Sequence, residues 1–83
     1  MGAHPSGGAR LSGLRKKSFS LAGHRTSVAL EPEFWAALDA IAEARRQTLA
    51  TLVAEIDAAR APGRPLASAL RVLALQDARR RLN

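Results

Sequence analysis

Gly23-His24-Arg25-Thr26-Ser27-Val28-Ala29-Leu30-Glu31-Pro32-Glu33-Phe34-Trp35 decides how this chain folds, because it passes from strand-like alternation to a helix start within a few residues. Between Arg25 and Leu30, the residues Thr26, Val28 and Leu30 share one face, and Arg25, Ser27 and Ala29 share the other. This is the period of a half-buried strand. The second face is small, polar and cationic. Such a face can enter a nucleic-acid groove, where Arg donates bidentately to a guanine edge and a Ser hydroxyl donates or accepts. A bulky face is kept out.

Immediately after the strand, Pro32 suits the first turn of a helix, and Glu31 and Glu33 complement its positive end. Phe34, Leu38, Ile41 and Ala42 then recur at helical spacing, predicting a first helix over about 32–46. Phe34 and Trp35 are neighbours, roughly 100° apart on a helix, so at most one of them faces the central core. Core packing accounts for them better than base stacking. Thr48 reads as the N-cap of a second helix, about 49–59, carrying Leu49, Leu52, Val53 and Ile56. Ala61-Pro62-Gly63-Arg64-Pro65 breaks the chain before a third helix, about 66–82. Leu66, Ala69, Leu70, Leu73 and Asp77 lie along one side of this helix. Val72, Ala74 and Leu75 widen its apolar surface, so it is expected to pack on both earlier helices and to continue across a dimer. Arg79, Arg80 and Arg81 complement its negative end.

Upstream, Ser18-Phe19-Ser20-Leu21 alternates and is read as a short strand or an extended lead-in, with Gly23 at a bend or bulge. Residues 1–14 are rich in glycine and poor in large apolar side chains, so the expected organisation is a flexible basic arm over 1–15 followed by one domain over 16–83. The arm has two readings, a solvated tail or a segment laid along a nucleic-acid backbone.

Net charge is +6 and the sequence pI is about 11.6. Residues 1–30 hold five cations and no acid; residues 31–60 hold three against six acids; residues 61–83 hold five against one. A basic arm and strand ahead of an acidic helix point to polyanion binding along one edge. No apolar run approaches the roughly 18 residues that span a bilayer, and no secretory signal is legible, so a cytoplasmic protein is expected. There is no cysteine, no Cys/His cluster and no spaced carboxylate pair, so neither a metal nor another cofactor is expected. His4 and His24 lie far apart, and Gly7-Gly8 lacks the strand, lysine and helix of a phosphate loop. An enzyme is not expected.

The basic segment followed by Gly23-His24-Arg25-Thr26-Ser27, the alternating strand and Glu31-Pro32-Glu33-Phe34-Trp35 resembles the ribbon-helix-helix family, specifically a small bacterial subfamily. The resemblance runs from about Lys16 to the end, including the second helix and Ser68-Ala69-Leu70-Arg71-Val72-Leu73. It implies a mainly α fold with one β-strand, in which strands from two chains pair into an antiparallel ribbon lying in the DNA major groove, plus an additional C-terminal helix. It also implies a nucleoid-associated transcriptional regulator, expected to be a repressor. Arg25, Ser27 and Ala29 are then the base-contacting residues, although Ala29 offers only a methyl where the family commonly has a hydroxyl or amide. Phosphate contacts fall to Lys16, Lys17 and the start of the second helix, through the main-chain amides of Thr48, Leu49 and Ala50. His24 has both a structural and a phosphate-touching reading. Thr26, Val28, Leu30, Phe34, Trp35, Leu38, Ile41, Leu52, Val53 and Ile56 form the expected dimer core.

An intertwined homodimer is also expected on size. A chain this short buries only roughly 60% of its unfolded surface, and a single strand has no hydrogen-bonding partner in its own chain. The alternative is an antitoxin-like interaction module, whose third helix holds a protein partner.

Overall fold

A computed structural model describes residues 13–82. Two strands, β1 (Arg15–Leu21) and β2 (His24–Leu30), are followed by three helices, α1 (Pro32–Ala44), α2 (Leu49–Ala59) and α3 (Leu66–Leu82). α2 and α3 coincide with the helices read at about 49–59 and 66–82, and β2 begins one residue before the Arg25–Leu30 alternation. Residues 1–12 of the expected arm lie outside the described residues, and its last residue, Arg15, opens β1.

The strands form one antiparallel hairpin, with Leu21 opposite His24 and Arg15 opposite Leu30. The expectation that β2 must find its partner in a second chain therefore does not hold, because β1 supplies one. Phe19 and Leu21 of β1 are buried, as are Val28 and Leu30 of β2, whereas Ser18, Ser20, Arg25 and Ser27 are exposed. A two-residue turn joins the strands. Ala22 and Gly23 both have positive φ, 52° and 84°, as the tightest right-twisting hairpin connection requires. Gly23 is thus part of a reversal and not a bend or bulge within one strand. The turn is hard to read because alanine occupies a position usually given to asparagine, aspartate or glycine.

Proline stands at the start of α1, and the Glu31 carbonyl accepts from the Phe34 and Trp35 amides at 2.9 and 3.2 Å. The helix ends at Ala44, two residues earlier than its periodicity predicts. Arg46 turns into the left-handed region (φ 57°), and its amide donates to the Glu43 carbonyl while that of Gln47 donates to the Ala42 carbonyl. This paired closure is the Schellman arrangement, which usually places glycine where Arg46 stands. In α2 the Thr48 hydroxyl accepts from the Thr51 amide at 3.0 Å, the cap its sequence predicts.

Every element contributes to one core. Leu30, Leu38, Leu52, Val53 and Leu70 are fully enclosed, and Trp35, Ile41, Ala42, Leu66 and Ala74 close around them. Thr26, Phe34 and Ile56 are partly buried within the chain. Trp35 takes the inward position and its neighbour Phe34 the half-covered one, as the angular argument requires. α3 packs on α1, α2 and β2, while α2 packs on β1. Arg71 of α3 also donates twice to one carboxylate oxygen of Glu31, at 2.8 and 3.1 Å, which fastens the last helix to the strand-to-helix junction.

Candidate nucleic-acid interface

Burial of Phe19, Leu21, Val28 and Leu30 on the helices forces the alternate residues of both strands onto the opposite face. That face carries three cross-strand pairs, Lys16 with Ala29, Ser18 with Ser27, and Ser20 with Arg25. Arg25, Ser27 and Ala29 therefore lie together as their alternation predicts, and Lys16 joins them from β1. The Ser18 and Ser27 hydroxyls are 3.0 Å apart, and Arg25 Nη1 donates to Ser20 Oγ at 3.1 Å.

Lys17 falls on the other side of β1. Its Nζ lies 5.7 Å from the centre of the Trp35 ring, within cation–π range. His24 is exposed beside the hairpin turn. Thr48, Leu49 and Ala50 begin α2, outside the hairpin; Leu49 is partly buried against the core, and the Thr48 side chain is engaged in its own cap. Ser18 and Ser20 join this face from β1 without a local sequence signal that assigns them to it. Their alternation with Phe19 and Leu21 acquires a direction only once β1 is paired with β2.

The charges of this hairpin are not spent internally. It holds Arg15, Lys16, Lys17 and Arg25 with no acidic residue, and among the described residues none of these four is in an ion pair. Elsewhere Arg60 pairs with Asp57, Arg71 with Glu31, and Arg80 and Arg81 both with Asp77. Those contacts hold the Glu31 carboxyl below its ordinary value, chiefly through the hydrogen bond from Arg71, and the Asp77 carboxyl likewise, chiefly through Arg81 and then Arg80.

A two-stranded antiparallel ribbon backed by helices, with small polar and cationic residues on its open face, defines a β-ribbon class of domain. The family comparison names it: the ribbon-helix-helix domain model matches residues 14–78, and the chain belongs to that family. Such domains generally bind DNA as transcription regulators and usually form dimers. No curated protein and no solved structure matches the chain. No helix among the described residues is long and apolar enough to cross a membrane.

Proposed function

We propose that this protein is a homodimeric transcriptional regulator, acting as a repressor, which inserts its β-ribbon into the major groove of duplex DNA. The carrying observation is the open hairpin face, where two cations, Lys16 and Arg25, and three hydroxyls occur without an acid in a domain of a DNA-binding family. A major groove about 12 Å wide admits a two-stranded ribbon, and strands about 4.8 Å apart fit that width. Arg25 reads a guanine edge, Ser27 exchanges a hydrogen bond with a base, and Ala29 offers its methyl to thymine or stands neutral in specificity. Lys16, Lys17 and His24 contact phosphates beside the ribbon, and the Thr48, Leu49 and Ala50 amides receive a further phosphate. Dimerisation is supported by the habit of the family, and two-fold symmetry then presents two copies of the reading face to a palindromic site. The protein works on the bacterial nucleoid, in the cytoplasm.

Selection from duplexes of random centre at about 150 mM salt, for the parent and for Arg25→Ala, tests this reading. A palindromic motif that weakens in the variant supports sequence-specific reading. Salt-sensitive binding without a motif overturns it in favour of architectural association.

A second reading, a protein-interaction module, is favoured by one observation. Phe34, Ala37, Val72, Leu75 and Ala78 line an apolar groove of about 350 Å³ between α1 and α3, and Leu75 is 56% exposed. Sedimentation of the parent and of Leu75→Glu separates the occupants. A dimer lost in the variant gives the groove to self-association, and a parent that is monomeric while failing to bind DNA brings the second reading forward.

A further inference from the structure

We propose that Ser20 is the positioning residue for Arg25, so that β1, and not β2 alone, sets the sequence preference of the ribbon. The inference rests on the reading proposed above and adds a residue outside the Arg25/Ser27/Ala29 set. The register puts Ser20 directly opposite Arg25 on the open face. Directly opposed side chains on one face of an antiparallel pair have Cβ atoms about 4.5–5.5 Å apart, close enough for a short hydroxyl to reach a neighbouring guanidinium. The contact is made, with Arg25 Nη1 donating to Ser20 Oγ at 3.1 Å.

The chemistry of the partner matters as much as its position. Arg60 and Arg71 are each held by a carboxylate, and Arg80 and Arg81 share one, which fixes these side chains and offsets their charge together. Arg25 is held by a neutral hydroxyl. It is therefore restrained while its full positive charge still faces outward. A guanidinium carries five donors in a planar fork, and Ser20 takes one of them, so a bidentate pair remains for a guanine edge. Ordering a long side chain before the encounter removes part of the entropy that docking otherwise loses.

The same strand repeats the device one pair along, where the Ser18 hydroxyl meets that of Ser27 at 3.0 Å. Either oxygen can be the donor, so the proton can be arranged to suit the base that Ser27 meets.

The test measures affinity for the duplex the parent selects and for an unrelated duplex, using the full chain and its Ser20→Ala, Ser20→Thr, Arg25→Ala and Ser20→Ala/Arg25→Ala variants. Ser20→Ala should weaken binding to the selected duplex by about three- to tenfold and leave the unrelated duplex within about twofold. Ser20→Thr should restore the loss. In the Arg25→Ala background, Ser20→Ala should change nothing further, because its effect passes through Arg25. In the free protein, relaxation of the Arg25 Nε–H should report greater side-chain motion in Ser20→Ala than in the parent. Unchanged selectivity in Ser20→Ala, or the same loss with and without Arg25, overturns the positioning role. A parent that selects no motif overturns the reading function itself; the relaxation measurement then shows whether the Ser20 contact exists as a feature of the fold alone.

Discussion

Trp35 of α1 donates its indole Nε1–H to the backbone carbonyl of Arg15, the first residue of β1, at 2.8 Å. The bond spans the hairpin from its open end to the first turn of the helix that follows it. The ring also stands 6.0 Å from that of Phe19, with the planes inclined by 39°. One side chain therefore anchors the strand that the sequence was least able to assign.

Trp35→Phe keeps an aromatic ring in this place but removes the donor and some volume. A loss of about 1–2 kcal/mol in unfolding free energy is expected by denaturant titration. Hydrogen exchange should show the extra opening concentrated in β1. Uniform loosening of all elements would mean that the tryptophan acts only through core volume.

Ala22 occupies a positive-φ position of the hairpin turn at a steric cost that asparagine bears more easily. Ala22→Asn is expected to stabilise the fold by about 0.5–1 kcal/mol, and Gly23→Ala to destabilise it by about 1 kcal/mol or more, since its φ of 84° is left-handed. Equal thermal midpoints for all three proteins would argue against this turn.

Arg46 is the same problem at the end of α1. Arg46→Gly keeps the Schellman closure and relieves the left-handed side chain, so a gain of about 0.5–1 kcal/mol is expected in chemical denaturation. A loss of stability would show that the arginine side chain contributes more than its backbone costs.

Ser27 and Val28 are adjacent and face opposite ways, one exposed and one 4% exposed. Ser27→Glu should leave the circular dichroism and melting curve close to those of the parent, yet abolish DNA binding by placing an anion against the phosphates. Val28→Glu should unfold the domain, because an unpaired carboxylate would enter the core. A folded Val28→Glu protein would overturn the face assignment.

Glu31 and Asp77 predict an acid dependence. Both carboxyls are held below their ordinary values by arginine hydrogen bonds, so in the folded state they stay ionised to lower pH than in the unfolded chain. Their stabilisation is complete above the unfolded carboxylate range, about pH 4 to 4.5, and is lost as pH falls through the folded values. Glu31→Gln and Asp77→Asn should flatten the decline of unfolding free energy below about pH 4.5. Slopes parallel to that of the parent would dismiss these pairs as the source.

Local periodicity and capping chemistry made β2, α2 and α3 readable. Thr26, Val28 and Leu30 on one face, Thr48 at a cap, and the Pro62–Pro65 break are signals carried within a few residues. Ala22 and Arg46 are positive-φ positions without a residue type that announces them, so no local pattern marks the hairpin turn or the end of α1. For the candidate site, Arg25, Ser27 and Ala29 were legible because alternation alone assigns a face. Ser18 and Ser20 became partners of those residues only through the register.

The amino-acid sequence by itself determined which faces are apolar, where most elements start and stop, and that the cations precede the acids, because these depend on neighbours along the chain. Only the tertiary structure decided that β1 pairs with β2 in the same chain, that Trp35 reaches back to Arg15, and that Arg25 meets a hydroxyl and not a carboxylate. Those outcomes depend on strand register and helix docking, which bring together residues whose separation no local pattern encodes.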